Sequence, residues 1–202
     1  MIKLYTAATP NGRKISIALE ELEVPYEVEW VKLADGEQHR PEFKARNPNT
    51  RIPVITDDDV TVWESGAILV YLAEKFGRLL PTDPARRMEA LTYTFFQAAH
   101  LGPNLGRLGQ QFNRPEGERN EEMLQVFLEE SLRVFGVFDE ILSDGREYLA
   151  GEYSIADIMT YPWLAAANEA AASFFEPYAG LRTWLDRTGA RPAVARGMKV
   201  PE

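Results

Sequence analysis

The chain has 202 residues, 45% of them apolar and 11% aromatic, enough to build one or two packed cores without metals or covalent staples. It contains no cysteine, which excludes structural disulfides, thiolate metal sites and any cysteine nucleophile of its own. A formal charge of −9 at pH 7 argues against a nucleic-acid surface or an anionic membrane as a partner.

In chain order, Met1 to Tyr5 has neither the basic nor the long apolar region of a secretion signal, and Ile2 to Tyr5 reads as a strand. No run approaches the roughly 20 apolar residues of a spanning helix, so a cytoplasmic enzyme or binding protein is expected. Asn11 to Glu23 carries Ile15, Ala18, Leu19 and Leu22 on one face and reads as a helix, with Tyr26 to Val31 as the next strand. The two strands and their helix form a βαβ unit with a right-handed crossover. Val54-Ile55 and Val60-Thr61-Val62 flank the acidic turn Asp57-Asp58-Asp59 and read as a hairpin. Ile68, Leu69, Leu72, Ala73 and Phe76 then space out a helix that begins at Ser65. The order βαβ, ββ, α is that of a thioredoxin-like domain, assigned to residues 1–77.

A linker is assigned to 78–85, within the glycine- and proline-bearing stretch Gly77 to Pro84, and an all-helical domain to 86–202. Arg86 to His100 reads as a helix through Met88, Leu91, Phe95 and Ala99, with a kink or break predicted at Gly102-Pro103. Glu118 to Ser143 is a long helix with Leu124, Leu128, Phe135, Phe138 and Leu142 on its apolar side. Ser154-Ile155-Ala156-Asp157 is a variant capping box, read as structural, and Ala165 to Ala172 is ordinary helix. Glu176 to Gly189 and Arg191 to Met198 finish the chain as two shorter helices, the second with Pro192 in its first turn.

Asn47 to Gly66 carries the chemistry. Pro53 cannot donate to a sheet ladder, and an Ile-Pro bond is able to be cis; either geometry leaves the backbone of Ile52 free to pair with an extended ligand. Glu64-Ser65 stands at a helix start, where open backbone donors and the dipole favour a carboxylate. The two features side by side suit a small peptide.

Together with Ser154-Ile155-Ala156-Asp157 in the following helical segment, these features resemble the cytosolic glutathione transferases over nearly the whole chain. Thr9-Pro10-Asn11-Gly12-Arg13-Lys14, Gly36 to Phe43, Asn47 to Pro53 and the closing Arg191 to Met198 look like the bacterial nu-class enzymes and their yeast-prion-like relatives. In that group a Thr-Pro-Asn motif replaces the catalytic tyrosine, serine or cysteine of other classes. The resemblance implies that Glu64 and Ser65 hold the γ-glutamyl end of glutathione, Ile52 its cysteinyl backbone, and Gln38 a further part of the ligand. It also implies that Thr9 and Asn11 approach the sulfur, and that Arg133 reaches the partner's site across a symmetric homodimer. Arginine stands at position 51 where many relatives have lysine, which keeps the charge and changes the donor geometry.

A free thiol with a pKa near 8.5 is mostly protonated at neutral pH. Thr9 and Asn11 are therefore assigned hydrogen bonds to the thiolate, although a turn and a helix cap explain their spacing equally well. Tyr5, within a strand, and Ser16, inside a helix, are rejected as thiol activators. His39 and His100 are too few and too far apart for a metal site, and no metal cofactor is expected. The resemblance implies a glutathione-dependent disulfide-bond oxidoreductase acting on a small disulfide. Two alternatives are conjugation to an electrophile, with Phe112, Tyr161 or Trp163 lining the acceptor pocket, and a noncatalytic interaction scaffold.

Overall fold

The structure is a computed structural model and describes residues 1–202. Strands β1 (Ile2–Thr6), β2 (Tyr26–Trp30), β3 (Val54–Asp57) and β4 (Val60–Trp63) make one mixed sheet in the order β2-β1-β3-β4. β1 and β2 run parallel from Ile2 opposite Tyr26 to Thr6 opposite Trp30. The β3–β4 hairpin turns at Asp58 and is antiparallel to β1. Helix α1 (Pro10–Leu22) makes the crossover, α2 (Pro41–Arg46) follows two single-turn 3-10 helices, and α3 (Ser65–Phe76) closes this part of the chain. The rest is helical: α4 (Pro84–Phe96), α5 (Gly102–Phe112), α6 (Glu121–Leu142), α7 (Ile155–Ala170), α8 (Ala179–Gly189) and α9 (Pro192–Gly197). The thioredoxin-like sheet followed by helices is the architecture expected from the sequence.

α1 is covered on both sides, by α3 and the sheet on one and by α7 and α9 on the other. One apolar cluster of 31 buried residues therefore runs from Leu4 and Ile15 through to Phe138, Ile158 and Trp184, so the two parts of the chain share a core. Contact with α9 is close: Ser16 Oγ donates to the Gly197 carbonyl at 2.6 Å, and a Cβ at Gly197 would lie 2.5 Å from the Ile17 Cα. Tyr5 packs with Val31, Phe43 and Val54 under the opposite face of the sheet. Both residues rejected as activators are thus part of the packing.

Several helix boundaries differ from the expectation by more than one residue, the start of α8 at Ala179 instead of Glu176 among them. The helix carrying Met88 and Phe95 does not break at Gly102-Pro103; it widens into a π turn over Gln97–Leu101 and continues as α5. A proline ring clashes with the carbonyl four residues back, here Ala99, and the wider turn relieves that clash upstream of the proline. α6 starts three residues later than Glu118, because the Asn120 side chain caps it by accepting from Met123 N at 3.0 Å. α7 stops at Ala170, and Ala172–Phe175 form a separate 3-10 turn.

The capping box at the start of α7 is present in full. Asp157 is completely buried; its Oδ1 accepts from Leu149 N and Trp184 Nε1, and its Oδ2 from Ser154 N. Burial outweighs these donors and pushes its carboxyl up to about 6.

Candidate active site

A cavity of about 960 Å³ opens between the first turn of α1, the first half of α3, the α4–α5 junction and α7. That is the upper end of the roughly 300–1,000 Å³ usual for small-ligand clefts. A smaller polar groove of about 260 Å³ shares Asn11, Arg51, Glu64 and Ser65 with it and adds Asn47, Asn49, Ile52 and Pro53.

The floor of the groove is built by one buried asparagine. Asn47 donates from Nδ2 to the Arg51 carbonyl at 2.8 Å and accepts on Oδ1 from Asn49 N at 2.9 Å, an Asx turn that fixes the loop before Pro53. The Ile52–Pro53 bond is cis, and Ile52 makes no backbone hydrogen bond within the chain. On the other wall, Glu64 has φ 72, a left-handed conformation that costs a non-glycine residue about 1–3 kcal/mol and is found mostly at functional sites. No side chain caps α3, so the first-turn N–H groups of Ser65, Gly66 and Ala67 stay open where these residues line the cavity.

Thr9 caps α1: its Oγ1 accepts from Gly12 N at 3.2 Å, which leaves the hydroxyl proton uncommitted. Gly12 permits this tight turn, since a Cβ there would fall 2.3 Å from the Ala7 carbonyl oxygen. Asn11, two residues on, accepts on Oδ1 from both Lys14 Nζ at 2.8 Å and Trp163 Nε1 at 2.9 Å. Lys14 is 1% exposed and contacts two more neutral oxygens, Gln97 Oε1 at 3.0 Å and Ser65 Oγ at 3.4 Å. Burial holds its ammonium well below the usual lysine range, opposed by the charge of Glu64.

Asn11, Ile52, Glu64 and Ser65 thus meet around one opening, while Thr9, at the cap of α1, lines neither space. Gln38 and Arg133 do not line either space. Gln38 sits on the turn Glu37–His39 with Oε1 buried and unpartnered. Arg133, half exposed on α6, forms a two-point ion pair with Glu130. His39 Nε2 is 3.3 Å from Gln38 Nε2, while His100 stacks on Phe96 and stands 3.9 Å from Glu130. No three His, Asp or Glu side chains gather at metal-binding spacing.

Sequence reasoning passed over Lys14, Gln97 and the inner role of Trp163. Lys14 reads as solvated beside Arg13, and its one legible signal is the i,i+3 spacing from Asn11. Trp163 also borders a second, apolar cavity of about 220 Å³ with Pro10, Leu105, Phe112 and Phe135. Tyr161, grouped with Phe112 and Trp163 from the sequence, instead packs edge-on against Trp184.

No helix is long and apolar enough to cross a membrane. The family model "Glutathione S-transferase, N-terminal domain" matches residues 1–74, and "Glutathione S-transferase, C-terminal domain" matches residues 85–192. The disulfide-bond oxidoreductase YfcG of Escherichia coli (strain K12) is 37% identical, with 98% of this chain and 94% of the relative covered. A glutathione transferase from Pseudomonas putida, solved with one glutathione disulfide per subunit, superposes with a TM-score of 0.95 at 37% identity, covering 100% of this chain and 92% of that one. Another from Burkholderia graminis, solved with two glutathione molecules per subunit, gives 0.93 at 38% identity over 100% and 88% of the two chains. Both halves of the fold are matched in order along nearly the whole sequence, and the chain belongs to the glutathione S-transferase family.

Proposed function

We propose that this chain is a glutathione-dependent disulfide-bond oxidoreductase of the nu-class type, in which Thr9 and Asn11 stabilise the glutathione thiolate. The observation that carries the reading is the juxtaposition of a cysteine-free chain with a donor pair, Thr9 and Asn11, beside the open N-terminus of α3. The γ-glutamyl carboxylate sits on the Ser65 end of α3, its amine near Glu64, and the cysteinyl backbone pairs with Ile52. Gln38, on the turn Glu37–His39 outside both spaces, is assigned a further contact once the ligand is bound.

With no protein thiol, both electrons come from glutathione. The thiolate of one molecule attacks a sulfur of the substrate disulfide, and the departing sulfur takes up a proton. A second glutathione then attacks the glutathionyl sulfur of the mixed disulfide, giving glutathione disulfide and the second product thiol. The cavity volume suits two peptides, and the Burkholderia graminis relative holds two.

A symmetric dimer completes this reading. Met88 and Phe95, two turns apart on α4, are 62% and 68% exposed, and Phe95 lines the open side of the cavity. An apolar face there is suited to a second copy, and only across such a dimer does Arg133 have a place in the partner's site.

Conjugation to an electrophile is the second reading, favoured by the apolar cavity beyond Trp163. The test is steady-state reduction of a small model disulfide by glutathione, coupled to a reductase, beside conjugation of an aryl halide on the same sample. Dominant disulfide reduction supports the proposal; dominant conjugation replaces it, and absence of both leaves a noncatalytic scaffold.

A further inference from the structure

Lys14 lines the cavity fully buried and without a salt-bridge partner. All three of its contacts are neutral oxygens, from Asn11, Gln97 and Ser65. A buried, unpaired ammonium is costly, and a lysine at the surface of α1 would avoid that cost. The arrangement around it explains why it is there. An ammonium and an indole N–H only donate, so the Asn11 atom between Lys14 and Trp163 has to be the carboxamide oxygen. The amide nitrogen, on the other arm of the same planar group, makes no hydrogen bond within the chain, and Asn11 borders both the cavity and the groove. Gln97 repeats the pattern: its oxygen faces Lys14, and its buried Nε2 has no partner.

We infer that Lys14 is a positioning residue of the thiol site, its ammonium holding the Asn11 carboxamide oxygen-inward so that the amide N–H faces the sulfur of the bound peptide. Without the two donors, the carboxamide is free to present its oxygen to the sulfur, and an oxygen lone pair repels a thiolate. Lys14 also polarises the amide it holds, which strengthens the outward donor. The charged or ionisable groups around the same cavity are Arg51, Glu64, Tyr71, Glu74 and Arg107, and Glu64 is the one whose charge acts on Lys14. The inference rests on the glutathione reading above.

The test is an ultraviolet titration of the thiolate band of glutathione bound to the wild-type protein and to Lys14→Met, with thermal melts of both. In the wild type the bound thiol should ionise below the free value of about 8.5. In Lys14→Met its pKa should rise by about one unit, with kcat/KM for disulfide reduction about tenfold lower at neutral pH and a smaller change in KM for glutathione. A lower melting temperature with an unmoved thiol pKa would make Lys14 merely structural and overturn the inference. If the wild type binds no glutathione, the glutathione reading itself falls and takes the inference with it; binding with an unshifted thiol removes the thiolate role from Asn11 and Lys14 alike. Lys14→Gln, neutral and shorter but still polar toward Gln97 and Ser65, carries the same test should Lys14→Met not fold. A thiol shift in the same direction supports the inference, and none overturns it.

Discussion

At the residue scale, the donor pair separates folding from chemistry. Thr9 uses a lone pair to cap α1 and leaves its hydroxyl proton uncommitted, as the proposed thiolate contact requires. Thr9→Val should therefore lose about 1 kcal/mol of stability together with about tenfold in turnover, while Thr9→Ser should keep both; thermal melts and steady-state kinetics on the three proteins check this. Asn11→Asp dissects the site further. A carboxylate can still accept from Lys14 and Trp163, and it gives the buried lysine a counter-charge, but it has no N–H to offer and places a negative charge beside the sulfur. The expected outcome is a melting temperature at or above that of the parent, with disulfide reduction lower by about a hundredfold or more. Wild-type turnover in this variant would remove Asn11 from the chemistry.

At the element scale, the start of α7 is fixed by a full capping box. Asp157 joins Leu149, Ser154 and Trp184 through charge-accepting hydrogen bonds with no solvent access. Because burial raises its pKa from 3.8 to about 6, the folded state holds a proton between about pH 4 and 6 that the unfolded chain has lost. The contribution of this carboxyl to stability is therefore fully present below about pH 4 and declines as pH rises through 6. Asp157→Asn cannot serve all three donors equally and should melt lower at pH 7, and its melting temperature should change less between pH 4 and 6 than that of the parent. A parallel pair of melting curves across that window would show that the carboxyl does not titrate there.

At the scale of the whole molecule, α1 links site and core. Its cap and first five residues carry Thr9, Asn11 and Lys14, while its remaining turns lie between α3 and the helices α7 and α9. The Ser16–Gly197 contact joins α9 directly to α1. The exposed Met88 and Phe95 face is the surface assigned to the proposed dimer. Phe95→Glu should leave the monomer fold intact, since the side chain is 68% exposed, and should convert a dimer in sedimentation to a monomer. If Arg133 serves the partner's site, the same variant should bind glutathione more weakly; a Phe95→Glu protein that remains dimeric would place the interface elsewhere.

Several features were legible before folding because their causes lie within a few residues. A threonine ahead of Pro10, an acidic turn between two β-branched runs, and a serine three residues before Asp157 each act through local backbone geometry, and each forms as read. The turn at Ile52-Pro53 and the helix start at Ser65 also belong to this group, for Pro53 and the periodic run after Ser65 announce them. Other decisions belonged to the tertiary structure. Lys14 looks solvated in the sequence, and only the coverage of α1 by distant segments buries it and brings it to Gln97, 83 residues away. The orientation of Asn11 depends in the same way on Trp163, 152 residues further along the chain. The π turn at Gln97–Leu101 likewise absorbs Pro103 where a kink or break was expected, within a helix held by its neighbours on both sides. Caps and turns are settled by short-range hydrogen bonds that sequence spacing encodes. Burial, and with it the charge and orientation of polar groups, is settled by which remote surfaces pack together, and spacing along one chain carries no record of that.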